Sequence, residues 1–176
     1  MRPLIGLIGY ARSGKDTAAQ ALTARGFHRV GFADALKADC EKIIGQPIAA
    51  MAPEQKEFWR PMLVEYGRLR RAQHPDYWIW RVGSYLKMNC EPTLPVVITD
   101  VRYTNECQWI LEHGGALAMV VRPNICAANS EEGRSVLEIL EDDFLSAAVA
   151  VIPNTGDVAT LKRRMIDVAH AKLGIP

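Results

Sequence analysis

Nine residues near the amino terminus, Gly9-Tyr10-Ala11-Arg12-Ser13-Gly14-Lys15-Asp16-Thr17, have the types and spacing to handle phosphate. Two glycines five positions apart let the backbone curl so that successive N–H groups point inward at an anion. A helix starting at the second glycine would aim its positive end at the same place. Lys15 adds a cation for the outer phosphates of a triphosphate. Gly9, Arg12, Ser13, Gly14, Lys15, Asp16 and Thr17 are therefore the candidate polyphosphate-binding set. The run departs from G-x-x-x-x-G-K-[ST] at one position: Asp16 stands where a hydroxyl usually holds magnesium, and Thr17 follows it.

A second candidate group lies far along the chain. Val96-Val97-Ile98-Thr99 is β-branched enough for a buried parallel strand, and Asp100 closes it with a carboxylate at the end where ligands gather in such sheets. Asp16, Thr17 and Asp100 are the candidate holders of a magnesium ion or of its waters. Arg102 offers a planar fork that fits two phosphate oxygens, and phosphoryl transfer asks a protein mainly for alignment and charge neutralisation. Lys15, Asp100 and Arg102 are accordingly the candidate catalytic residues. Glu106, one helical turn on, is placed to orient Arg102 or to accept a hydrogen bond from a substrate base. Arg60, Arg68, Arg70, Arg71 and Arg81 concentrate guanidinium groups within about twenty residues, in a chain whose net charge is only +1.

The elements that must position these groups follow from periodicity. Leu4–Ile8 reads as a buried strand before the loop, and a helix runs from the loop to a stop at Gly26. Phe27–Phe32 is a short strand or crossing segment. Leu36, Cys40, Ile43 and Ile44 mark one face of a helix ending near Gly45. Gln46–Pro53 reads as loop and Glu54–Ala72 as helix interrupted at Pro61. Asp76 can cap a helix carrying Ile79, Val82 and Leu86 on one side. Of Trp78 and Trp80, one is expected in the core. Strands follow at Val96–Asp100, Ala116–Val121 and Ala148–Ile152, with helices at Asn105–His113, Val136–Phe144 and after Asp157. From Arg122-Pro123 to about Ser135 the chain is polar and without periodicity, the composition of a mobile lid. Alternating strands and helices predict an α/β fold with a parallel sheet covered on both faces.

Composition narrows the function classes. In 176 residues, 49% hydrophobic and 23% charged, there is material for one substantial core. The near-neutral charge gives no general attraction to nucleic acid or to a membrane surface. The scattered cysteines and histidines show no metal-ligand spacing. No apolar run approaches membrane-spanning length, so a cytoplasmic location is expected.

The loop with its G-K-x-T ending, Phe32-Ala33-Asp34-Ala35-Leu36-Lys37, the series Arg60…Gly67…Arg71…Trp78, Thr99-Asp100-Val101-Arg102 with Glu106, and Val120-Val121-Arg122-Pro123 together resemble the bacteriophage deoxynucleoside monophosphate kinases. The resemblance runs from the first strand to the last helix. It implies a three-layer phosphate-loop fold of the nucleoside monophosphate kinase kind. The core would comprise 1–32 and 93–176, with a monophosphate-binding insertion at about 33–90 and a lid at about 122–136. It further implies transfer of the γ-phosphate of ATP to a dNMP with Mg2+, in the host cytoplasm if phage-encoded. Both substrates would be small molecules, and dimerisation is left open. Lys37, Arg60, Arg71, Trp78, Arg102 and Glu106 would contact the dNMP, and Arg122 would begin the lid over ATP. The lid lacks the His-x-Ser/Thr-Glu element frequent in that family, offering Ser130-Glu131 or Arg134 to Glu138 instead. Two other readings share the loop: a dephospho-coenzyme A or phosphomevalonate kinase, and an ATP-binding module without turnover. The guanine-recognition element Asn-Lys-x-Asp is absent, which disfavours a GTPase.

Overall fold

The structure is a computed structural model and describes residues 2–174. Five strands, β1 (Leu4–Ile8), β2 (His28–Val30), β3 (Val96–Ile98), β4 (Ala116–Val121) and β5 (Val149–Pro153), form one parallel sheet in the order β2-β3-β1-β4-β5. The helices are α1 (Lys15–Thr23), α2 (Phe32–Ile44), α3 (Pro53–Gln73), α4 (Tyr77–Asn89), α5 (Thr104–Glu112), α6 (Ser130–Glu141), α7 (Asp143–Ala148) and α8 (Val158–Leu173). The chain divides into two compact units. One runs through Val30 and resumes at Cys90; the other spans Gly31–Asn89.

In the sheet unit β1 is the central strand and every one of its residues is buried, which is why its sequence reads as an unbroken apolar run. Alternation sorts its side chains to two faces. Ile5 and Leu7 join Val97, Ala118, Val120 and Ile152 in the cluster that α1 and α8 complete with Leu22, Leu161 and Met165. Gly6 faces the other way, where a Cβ would meet Ile110 of α5 at 2.5 Å. Helix, sheet and helix thus make three layers. Each fully buried aliphatic side chain adds about 1.5–3 kcal/mol. Because all strands are parallel, their carboxyl ends share one edge. Gly9, Thr99, Arg122 and Asn154, the residues that follow β1, β3, β4 and β5, lie along that edge.

The unit Gly31–Asn89 holds α2, α3 and α4 around Cys40, Ile48 and Met51, against which Leu36, Trp59, Met62, Leu63 and Tyr66 pack. Pro61 does not interrupt the helix as the sequence suggested; α3 continues through it. The ring removes one N–H and costs up to about 3 kcal/mol, but Pro61 lies on the exposed side while the flanking Trp59, Met62, Leu63 and Tyr66 hold both halves to the same core.

A second difference concerns the polar stretch after β4. It is irregular only to Asn129; α6 begins at Ser130, where the Asn129 side chain accepts the Glu132 N–H at 2.9 Å. Polarity hid the helix because Ser130, Glu131 and Arg134 form its solvent face. The helix expected over Val136–Phe144 is divided at Asp142, whose side chain caps α7. All four cysteines are free thiols, and burial pushes that of Cys107 up to about 12. Among the described residues no helix is long and apolar enough to cross a membrane.

Trp78 is the tryptophan in the core, 2% exposed, and Trp80 is 63% exposed. The Trp78 indole donates to the Gly67 carbonyl at 3.3 Å and stands edge-on to Tyr77 at 4.8 Å. Trp78, expected to contact the acceptor, is packed inside the Gly31–Asn89 unit with its indole nitrogen engaged. Trp78→Phe should lower the unfolding free energy by about 1–3 kcal/mol through the lost volume and hydrogen bond, read as a lower urea midpoint at unchanged m-value.

Candidate phosphate-binding site

The loop between β1 and α1 owes its shape to backbone conformations that most side chains resist. Gly9 has φ +135° and Gly14 has φ +108°. A Cβ on Gly9 would lie 2.5 Å from the Val120 carbonyl oxygen, so the loop lies directly against the end of β4. Arg12, which is not glycine, is also left-handed at φ +64°. That conformation costs about 1–2 kcal/mol and persists only where the surroundings enforce it.

The loop's own hydrogen bonds show which amides remain for a ligand. Ser13 donates its N–H to the Tyr10 carbonyl at 3.1 Å, and its own carbonyl accepts from the Asn154 side chain at 2.8 Å. Its hydroxyl is buried, 1% exposed and without a hydrogen-bond partner, beside a cavity of about 60 Å³ that Tyr10, Met119, Arg122 and Ile125 help to line. The backbone of Ser13 thus serves the loop's shape. The Ala11 N–H donates to a Glu132 carboxylate oxygen at 2.8 Å. Ala18 is the first residue of α1 to donate along the helix, to Gly14, so the amides of Lys15, Asp16 and Thr17 precede any intrahelical partner. They point where the helix dipole favours an anion.

Lys15 Nζ donates to the Gly9 and Tyr10 carbonyls, each at 2.7 Å, folded across the mouth of the loop. Burial, and after it the nearby Arg102 guanidinium, lowers its pKa, while Glu132, Asp16 and Asp100 act in the opposite sense. One guanidinium and three carboxylates therefore act on this one ammonium group. An arriving polyanion favours the charged form of Lys15 and relieves its repulsion with Arg102.

The turn after β3 is fixed from within. Glu106, expected to orient Arg102 or to meet a base, is 2% exposed. Its Oε2 accepts the backbone N–H groups of Arg102 at 2.8 Å and Tyr103 at 3.2 Å. It holds the main chain of Arg102 and leaves the guanidinium exposed. Asp100 is half-buried beside it, and Arg122 is exposed at the end of β4.

In the Gly31–Asn89 unit, Lys37 pairs with Asp34 at 3.6 Å and Arg60 with Glu57 at 3.5 Å, all on exposed or half-exposed faces. Arg60 and Arg71 lie on one helix about three turns, roughly 16 Å, apart. Other arginines of the run are engaged locally. Arg81 pairs with Asp39, and Arg70 bonds the Tyr66 hydroxyl while lying over the Tyr66 and Tyr77 rings at 5.1 and 5.2 Å. Burial alone would raise the Asp39 carboxyl, but the Arg81 guanidinium holds it below its ordinary value.

Two residues of the sheet unit were missed in the sequence. Asn154 is signalled only by its place directly after the last strand, at the ligand edge. Glu132 is signalled as the fourth residue of an Asn-x-x-Glu helix start, a pattern that says nothing of the loop its carboxylate reaches.

No protein-family model matches the chain. A protein of Acanthamoeba polyphaga mimivirus, provisionally named a deoxynucleotide monophosphate kinase, is 33% identical over 193 aligned positions, covering 88% of this chain and 98% of the mimivirus protein. Dephospho-CoA kinase from Campylobacter jejuni superposes with a TM-score of 0.56 at 12% identity, over 97% of each chain. A gluconokinase from Sinorhizobium meliloti 1021 does so with 0.52 at 17%, over 98% of this chain and 95% of its own. At such identities the likeness is one of fold, that of the phosphate-loop small-molecule kinases.

Gly14 gives the most direct check on the loop geometry. A Cβ there would sit 2.6 Å from the Asn154 side-chain nitrogen in a left-handed conformation. Gly14→Ala should destabilise the chain by about 1–3 kcal/mol, measured by thermal unfolding, with faster hydrogen exchange centred on residues 10–17.

Proposed function

The chain belongs to the deoxynucleotide monophosphate kinase family, and on that premise we propose that it transfers the γ-phosphate of ATP to a deoxynucleoside monophosphate, giving ADP and a deoxynucleoside diphosphate. The observation that carries this reading is the phosphate loop at the central strand with Lys15, Arg102, Asp16 and Asp100 gathered in one electrostatic neighbourhood. A nucleotide binder without turnover needs the loop but not an exposed arginine whose backbone is fixed by a buried carboxylate.

In this reading a phosphate oxygen of the acceptor bonds to the γ-phosphorus as the bond to the β–γ bridging oxygen breaks, and ADP leaves with the charge. Gly14, Lys15, Asp16 and Thr17 cradle the donor's phosphates through their amides, with Gly9 and Arg12 shaping the loop. Lys15 leaves the Gly9 and Tyr10 carbonyls for the β and γ oxygens. Arg102 neutralises charge on the transferring and accepting phosphates, and Glu106 fixes the backbone that carries it. Lys37, Arg60 and Arg71 are the proposed acceptor contacts. Arg122, with the segment after it, covers ATP, whose reactive phosphate must be kept from water.

Asp16, Thr17 and Asp100 supply only oxygen donors, the set that suits a hard cation. Magnesium would add positive charge on the transferring phosphate when bound.

ATP-dependent ADP release, assayed with dAMP, dGMP, dCMP and dTMP beside dephospho-coenzyme A and phosphomevalonate, tests the reading. One or more dNMPs should stimulate release, and Lys15→Ala should cut the rate by at least ~10²-fold. Response to another acceptor alone would overturn the substrate assignment. Arg102→Ala should raise the acceptor KM by about ten- to a hundred-fold while leaving ATP binding by calorimetry near wild type.

A further inference from the structure

Glu132 is 4% exposed and carries a carboxylate that both its neighbours in sequence and a segment 121 residues away depend on. One oxygen accepts the Ala11 N–H at 2.8 Å, the other the Ala128 N–H at 2.6 Å. As the third residue of α6, behind the Asn129 cap, it has the place of a capping glutamate, which would fold back to the N–H of Asn129 itself. It reaches instead across to the loop between β1 and α1. Its neighbour Glu131 accepts from the Tyr103 hydroxyl at 2.8 Å, beside Arg102. The first turn of α6 is therefore bonded both to the phosphate loop and to the turn that holds Arg102.

We propose that Glu132 is a positioning residue for the donor site. It fixes the outer limb of the phosphate loop at Ala11 and the approach to α6 at Ala128, so that the two segments hold or loosen as one. The division of labour in the loop favours this role over direct contact with a ligand. The amides of Ala11 and Ser13 are used for architecture, and those of Lys15, Asp16 and Thr17 have no helical partner. A buried charged acceptor with both oxygens bonded to backbone is costly to displace. Its charge also lies near Lys15, where it offsets part of the repulsion from Arg102. The donor-binding part of the inference rests on the nucleotide reading above; the tie between the segments does not.

Two measurements on Glu132→Ala and Glu132→Gln separate these parts. Glutamine keeps the shape and one acceptor oxygen, so it serves where alanine fails to fold. In native-state hydrogen exchange the amides of residues 10–14 and 126–131 should speed up together in both variants, by roughly tenfold or more in Glu132→Ala, with β4 and β5 unchanged. By calorimetry ATP and ADP should weaken alike, by about tenfold in Glu132→Ala and less in Glu132→Gln, with dNMP affinity unchanged. Exchange that rises in one segment alone, nowhere, or throughout the sheet unit would overturn the tie. Loosened segments with unaltered ATP and ADP affinity would overturn the positioning role. A wild-type chain that binds neither nucleotide would overturn the nucleotide reading and the donor-binding role with it, while the exchange result would still decide whether the tie exists.

Discussion

A polyphosphate can be held by backbone only if several N–H groups face one point, and that requires a turn which side chains at its corners would block. Here the turn hangs on Gly9 and Gly14, each in a conformation open to glycine and each so close to a neighbour that a methyl group would collide. Everything else follows from that constraint. The loop needs a rigid origin, supplied by the buried central strand β1, and a helix whose first turn continues its row of donors, supplied by α1. It needs a wall, supplied on one side by Val120 of β4 and by Asn154 just after β5.

Charges of both signs come together around Lys15 at the loop. Lys15 is partly desolvated and faces Arg102, yet Glu132, Asp16 and Asp100 stand close enough to keep the arrangement tolerable when it is empty. A cluster of cations alone would bind phosphate more strongly but would repel itself in the free protein. Buried carboxylates resolve the conflict and also act as braces. Glu106 holds the backbone of Arg102, and Glu132 holds the loop at Ala11.

Much of this was legible in the chain because the informative residues act locally. The glycine spacing, the apolar run before it and the lysine after it specify strand, loop and helix within Leu4–Thr23, and the structure follows them. The end of β4 at Val121 was readable, whereas the strand expected to reach Asp100 ends at Ile98, so that Asp100 lies just beyond it. Three features were not legible. The helix starting at Ser130 has a polar outer face and buries only Glu132, Ser135, Val136 and Ile139, too sparse a stripe to stand out. Pro61 signals a break that packing on both sides of it overrides. The carboxylates of Glu106 and Glu132 look like surface charges in sequence. Their hydrogen bonds run to backbone groups that no side-chain pattern reveals.

The residues Gly31–Asn89 leave the sheet unit after β2 and return before β3, and these two strands are neighbours in the sheet. They form one long crossover between adjacent parallel strands. Such a connection can lengthen, shorten or change its side chains without re-threading any strand or altering the order β2-β3-β1-β4-β5. The phosphate loop, Asp100 and Arg102 all belong to the part of the chain outside it. If the crossover holds the acceptor, as the kinase reading proposes, its side chains would be free to change with the acceptor while the phosphate loop keeps its frame.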